Sequence, residues 1–205
     1  MIKIFRVVCL IGIFLDTETN GLNFEKHEAI EIAIELIDLE SGKTIDAYET
    51  LIAISPESFD RSDPTSLAFT GITYDEIKTG KPLPLVRKEI LELFKKHHLV
   101  RKEALFICQN PSFDRIFFTK IIPTDLQEGL NFPYNWLDLA SMHWGKSIRE
   151  GHSIGGIGLS KDSIATFYGI LSEEKPHRAR NGVRHLIECY KKVIGFDLCT
   201  QGILE

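Results

Sequence analysis

The sequence predicts an α/β domain built on a mixed sheet, opened by an antiparallel three-strand meander and flanked by helices. Two observations carry this. Residues 7–54 hold three apolar or period-two stretches joined by connections too short for parallel crossovers. From Pro84 onward, amphipathic helical stretches alternate with short apolar strands, the order that lays parallel strands beside a meander and helices over it.

Each element has a local reason. Residues 7–16 (VVCLIGIFLD) form a nearly continuous apolar run rich in β-branched side chains, the pattern of a strand buried on both faces. In 29–39, Ile30, Ile32, Ile34 and Leu36 alternate with Glu31 and Glu35, which predicts a strand with one wet face. Ser41-Gly42-Lys43 turns the chain into its hairpin partner at 44–54. Pro82 and Pro84 lead into a helix ending near His97, with Leu85, Ile90, Leu91, Leu93 and Phe94 on one stripe. A strand at 104–108 (ALFIC) precedes a helix at 112–122, with Ser112 as its expected cap. Trp136–Leu139 reads as a last short strand and 159–169 as a helix. The final helix, 178–194, is amphipathic through Val183, Leu186, Ile187, Tyr190 and Val193. With no repeat or long linker, the chain reads as one domain over 1–205 with its core at about 8–194.

Composition narrows the class. Of 205 residues, 43% are apolar and 26% charged, near the globular average, which excludes disordered, collagen-like and coiled-coil chains. Cys9, Cys108, Cys189 and Cys199 show neither CxxC nor zinc spacing, so they predict reduced thiols and a cytoplasmic location. The opening run 1–15 has a basic start but no small-residue cleavage site and is too short to span a bilayer. A buried strand is expected there rather than an export signal, and no membrane partner.

The net charge is −5, unevenly spread. Residues 1–77 carry five basic and fifteen acidic side chains, whereas residues 78–102 carry eight and two. A protein that binds nucleic acid by backbone neutralisation alone should be basic overall, and this one is not. The 78–102 cluster reads equally well as a strand-guiding patch or as solvated helix faces.

The chemistry-bearing residues fall in three places. Asp16 and Glu18 lie two apart at the end of the first strand, so both carboxylates point to one side and repel unless a cation intervenes. Such hard oxygen donors suit magnesium or manganese. Asp114 opens the helix after 104–108, within Asn110-Pro111-Ser112-Phe113-Asp114. His177 begins Pro176-His177-Arg178-Ala179 before the last helix. Taken singly, each has an ordinary alternative as a surface or capping residue.

In this order, DTETNGL after a strand, N-x-x-F-D at a helix start and H-R-A before a late helix resemble the DEDDh family of 3′-to-5′ exonucleases, over about residues 8–194. That family includes polymerase proofreading subunits and ribonuclease T-like enzymes. The resemblance implies a ribonuclease H-like fold and hydrolysis of phosphodiester bonds at single-stranded DNA or RNA 3′ ends. It implies two divalent ions, Mg2+ or Mn2+, with Asp16, Glu18 and Asp114 as metal ligands and His177 as general base. Thr17 and Leu22, with Phe24 near them, are then expected to receive the terminal nucleotide, and Phe113 is expected either to contact bases or to pack in the core. Arg178 is expected on the strand, as the start of a basic face with Arg180, Arg184, Lys191 and Lys192 that reads equally as a strand track or as a solvated helix face. Asp138, His97, His98 and His152 are expected outside the site, Asp138 as a structural hydrogen-bonding group. Few residues follow the last helix, so a stand-alone protein is expected rather than a stable polymerase subunit, with a homodimer left open.

One position departs from the pattern. The family's fourth acid lies five residues after the histidine, where this chain has Gly182. Asn181 is a weaker neutral neighbour and Glu188 lies two turns away. Three outcomes stay open: slow turnover with one weakened metal site, an acid reaching in from elsewhere, or a catalytically weak or inactive module that binds ends or a partner protein.

Overall fold

The structure, a computed structural model, describes residues 10–196. Strands β1 (Ile11–Thr19), β2 (Ala29–Asp38) and β3 (Thr44–Ala53) form the meander, and three short helices follow it: α1 (Pro56–Asp60), α2 (Pro64–Thr70) and α3 (Tyr74–Ile77). A two-residue strand β4 (Lys81–Pro82) leads into α4 (Leu83–Lys96), then β5 (Ala104–Cys108), α5 (Pro111–Ile121), α6 (Thr124–Gly129) and β6 (Trp136–Asp138). The rest is helical: α7 (Leu139–Arg149), a 3₁₀ turn at Ile154–Gly156, α8 (Lys161–Phe167) and α9 (Ala179–Val193). The expected α/β architecture is the one observed. Residues 7–9 of the expected first strand lie outside the described residues, as do Cys9 and Cys199.

The sheet order is β4-β3-β2-β1-β5-β6. β1 pairs antiparallel with β2 from Ile11 opposite Asp38 to Thr19 opposite Ala29, and parallel with β5 from Ile11 opposite Ala104 to Phe14 opposite Ile107. Parallel neighbours need a long return path, and α1 to α4 supply it. Being central, β1 is covered on both sides. Ile13 and Leu15 pack with Val86, Ile90 and Phe94 of α4 and Phe117 and Phe118 of α5. Phe14 packs the other way, with Leu139 of α7, Ile164 of α8 and Val183, Leu186 and Tyr190 of α9. That alternation aims Asp16 and Glu18, two and four residues after Phe14, at the α8–α9 side.

Two expectations fail in instructive ways. The acidic face of β2 is mostly covered: α9 lies over it, Ala33 and Ile37 join the α9 core and Glu31 is buried, while Glu35 stays partly exposed. The Glu31 carboxylate is tolerated there because it accepts from Arg178 Nε (3.1 Å) and Nη2 (2.8 Å) and from the Ala179 backbone N–H (2.8 Å). The cap of α5 is Asn110, at φ 58°, rather than Ser112, whose hydroxyl instead donates to Asn110 Oδ1 at 2.6 Å. Asn is among the few non-glycine residues that take this left-handed conformation readily. The short helices α1 to α3 have sound caps in Ser55, Asp63 and Thr73, but at four to seven residues they are too short to show an apolar stripe. Among the described residues, no helix is long and apolar enough to cross a membrane.

Candidate active site

A cleft of about 520 Å³ opens at the end of β1, within the range of small-molecule sites. Asp16, Glu18, Asp114 and His177 all line it, so four residues spread over 161 positions of sequence meet in one place. β1 delivers the first two and the first turn of α5 delivers Asp114. The loop before α9 delivers His177.

Asp114 is almost fully buried, and its Oδ1 accepts from both the backbone N–H (3.0 Å) and the hydroxyl (2.8 Å) of Thr17. Thr17 therefore spends its side chain on fixing an acid, while still lining the cleft. Asp138 caps α7 by accepting from the N–H groups of Ala140 and Ser141, and also accepts from Asn110 N at 3.0 Å. It thus ties β6 to the turn that aims Asp114, a structural role outside the cleft. His177 is buried, stacks on Phe69 of α2 at 3.8 Å between ring centroids, and donates its backbone N–H to Phe69 O.

The acids crowd one another. Burial above all, then the neighbouring Asp16, drives the Glu18 carboxyl up to about 9. Burial raises Asp16 to about 6, against the lowering pull of Lys161. Asp114 is held well above the usual carboxylate range by burial and Asp16, which outweigh donation from Thr17. A site so arranged favours a bound cation.

Lys161 and Glu173 are cleft residues that no motif announced. Lys161 Nζ lies 2.7 Å from Glu173 Oε2 and 3.8 Å from Asp16 Oδ1. Burial works to lower the lysine, but Asp16 and Glu173 prevail and push it up to about 12. The Glu173 side chain is 1% exposed and its Oε1 lies 3.2 Å from His177 Nδ1. Gly182 sits beside this group, and a Cβ built on it would collide with the Asp16 carboxylate and come 3.1 Å from Lys161 Nζ. Asn181 and Glu188 are not among the residues lining the cleft, and Glu188 is exposed.

The expected strand contacts divide. Leu22 and Phe113 line the cleft, Leu22 being 75% exposed, as does the unforeseen Phe69. Phe24 is exposed but not among the lining residues. Arg178 is drawn away: its guanidinium is held by Glu31 and Glu76, and it does not line the cleft. Arg180 likewise pairs with Glu49 at 2.8 Å, so the expected basic track loses its first two members to intramolecular partners. The 78–102 cluster is similarly spent on pairs such as Lys81–Glu89 and Lys96–Asp46. His97 also leaves its expected place as a surface residue, half-buried against Asp46 at 2.7 Å.

Known proteins resemble this chain in sequence and in fold. The RNase_T exonuclease family model matches residues 13–138. Ribonuclease T of Shewanella sp. (strain ANA-3) is 25% identical over 208 aligned residues, covering 94% of this chain and 89% of that protein. Among solved structures, E. coli exonuclease I in complex with a dT13 oligonucleotide superposes with a TM-score of 0.71 at 19% identity, covering 88% of this chain and 40% of its own. Cell-death related nuclease 4 superposes with a TM-score of 0.68 at 15% identity, covering 90% of this chain and 63% of its own. The two structures share the fold, and this chain spans well under half of exonuclease I. With a family match across more than half its length, running from near the start of β1 to the end of β6, the chain belongs to the exonuclease family.

Proposed function

We propose that the cleft hydrolyses phosphodiester bonds at the 3′ end of single-stranded DNA or RNA with the help of Mg2+ or Mn2+. The observation that carries this reading is the convergence of Asp16, Glu18, Asp114 and His177 in one cleft whose acids are desolvated and mutually repelling. Among the described residues no group of three or more His, Cys, Asp or Glu is arranged to hold a metal ion. That still suits magnesium, which commonly takes one or two carboxylates and completes its shell with waters and substrate phosphate oxygens. The donor set fits such an ion. A divalent ion held by one or two of Asp16, Glu18 and Asp114, with water and phosphate oxygens around the rest of it, would supply positive charge to the phosphoryl group and lower the pKa of water.

The chain's own residues do the rest. Glu173, facing Nδ1 of His177, favours a proton on that nitrogen and leaves Nε2 as the base. Nε2 takes a proton from water as its oxygen bonds to phosphorus, and the bond from phosphorus to the 3′ oxygen breaks. The leaving oxygen takes a proton from solvent water, His177 returns its own to solvent, and a 5′-mononucleotide departs. Phe69 fixes the imidazole plane by stacking. Leu22, Phe113 and Phe69 offer apolar and aromatic surface for the terminal bases, while Thr17 acts through Asp114.

A second reading, an end-binding module without turnover, draws on Gly182 standing where the family carries an acid. Asp16→Ala separates the two. On the enzyme reading it abolishes hydrolysis while strand affinity, read by fluorescence anisotropy, stays within a few-fold. Native protein that binds ends in Mg2+ and Mn2+ but cleaves nothing would establish the module reading instead.

A further inference from the structure

We propose that the Lys161 ammonium stands in for one of the two divalent ions, so that this cleft binds a single metal ion; this rests on the metal-dependent reading above. Three observations converge on it. First, Lys161 Nζ lies between two carboxylates, 2.7 Å from Glu173 Oε2 and 3.8 Å from Asp16 Oδ1, with the Gly182 carbonyl oxygen at 3.4 Å. These are all oxygen neighbours, the surroundings a hard cation would choose. Second, Gly182 makes room for it. A Cβ at 182 would meet the Asp16 carboxylate and come 3.1 Å from Lys161 Nζ, so a side chain there would have to displace the one and crowd the other.

Third, Glu173 is an almost fully buried carboxylate, which is stable as an anion only with a cation against it, and Lys161 Nζ lies 2.7 Å from its Oε2. The cationic or titratable groups facing it are Lys161, His177 (Nδ1 at 3.2 Å) and His185 (Nδ1 at 3.9 Å). Lys161 is the one with permanent charge. Glu173 reaches the cleft from the loop after α8 rather than from α9, so the site keeps four acids while exchanging one divalent ion for an ammonium. With Lys161 in place, Asp16 shares its charge with the amine and the cleft offers one set of donors instead of two.

The test counts ions. Mn2+ is titrated into native protein with thymidine 5′-monophosphate present, and bound ions are counted by equilibrium dialysis and inspected by electron paramagnetic resonance. Native protein is expected to bind one ion per chain with the spectrum of an isolated Mn2+. Lys161→Ala, which vacates the space without filling it, is expected to bind two with the spectrum of an exchange-coupled pair, since paired catalytic ions lie about 3.5–4 Å apart. Two coupled ions in the native protein would overturn the proposal and leave the metal-dependent reading standing. One ion in both proteins would also overturn it, because Lys161 would not be what excludes the second. No bound ion in either would overturn the metal-dependent reading and this proposal together. Should Lys161→Ala fail to fold by circular dichroism, Lys161→Ser, which also removes the ammonium and leaves the space open, takes its place in the same count: two coupled ions are expected, and one ion would overturn the proposal.

Discussion

Glu31 shows how one carboxylate can mislead a reading of pattern and still organise the site. Its place in a period-two run reads as solvent-facing, yet it is buried and grips both the Arg178 side chain and the first N–H of α9. It thereby sets where α9 begins, and with it the approach of Gly182 to Asp16. Glu31→Ala should cost about 2–3 kcal/mol in urea unfolding, below the full penalty for a broken buried pair because Arg178 is partly exposed and keeps Glu76. A loss under about 0.5 kcal/mol would mean the pair only decorates the surface.

Glu18 makes a pH prediction at the same scale. Its folded pKa, about 9, lies above the ordinary 4.5, so the folded chain holds a proton that the unfolded chain has released. Stability from this group is complete below about pH 4.5 and is lost as pH rises toward 9. The metal-free protein should therefore melt at lower temperature at pH 8.5 than at pH 6.5, and Mn2+ should raise the melting temperature more at the higher pH. Equal effects of Mn2+ at both values would contradict this assignment.

At the scale of elements, what was legible depended on length and on neighbours. The helix at 83–96 and the strand at 104–108 are long or apolar enough to announce themselves, and their observed bounds fall within a residue of expectation. The helices of 56–77 were silent, because four to seven residues present caps but no stripe. The wet face assigned to β2 failed because α9, more than 140 residues away, supplies both cover and a partner for Glu31. Asp16, Glu18, Asp114 and His177 were readable because their order forms a motif. Lys161 and Glu173 were not, since a lysine at a helix start and a glutamate in a loop carry no signal until the chain folds them together. Asp138 joins two elements: Asp138→Ala removes the α7 cap and the hold on Asn110, and should cost about 1–2 kcal/mol in thermal or urea unfolding. Circular dichroism showing no change in stability would contradict the capping role.

Across the whole molecule, charge is arranged by place rather than by total. The acids of the cleft face one another, whereas the lysines and arginines that looked like a strand track are largely committed to nearby acids. Recognition of a nucleic-acid end then falls to the apolar rim of Leu22, Phe69 and Phe113 and to the metal-dependent centre, so binding should depend less on salt than for a basic groove. The loss of an acid at 182 does not empty the site of negative charge, because Glu173 enters from another direction.

The most direct measurement of the central claim incubates purified protein with a 5′-labelled single strand, as DNA and as RNA, in Mg2+ or Mn2+, beside Asp16→Ala. A ladder that shortens from the 3′ end, needs the metal and is missing in the variant is the result expected. An intact strand in both metals, or a ladder equally strong with Asp16→Ala, would contradict it.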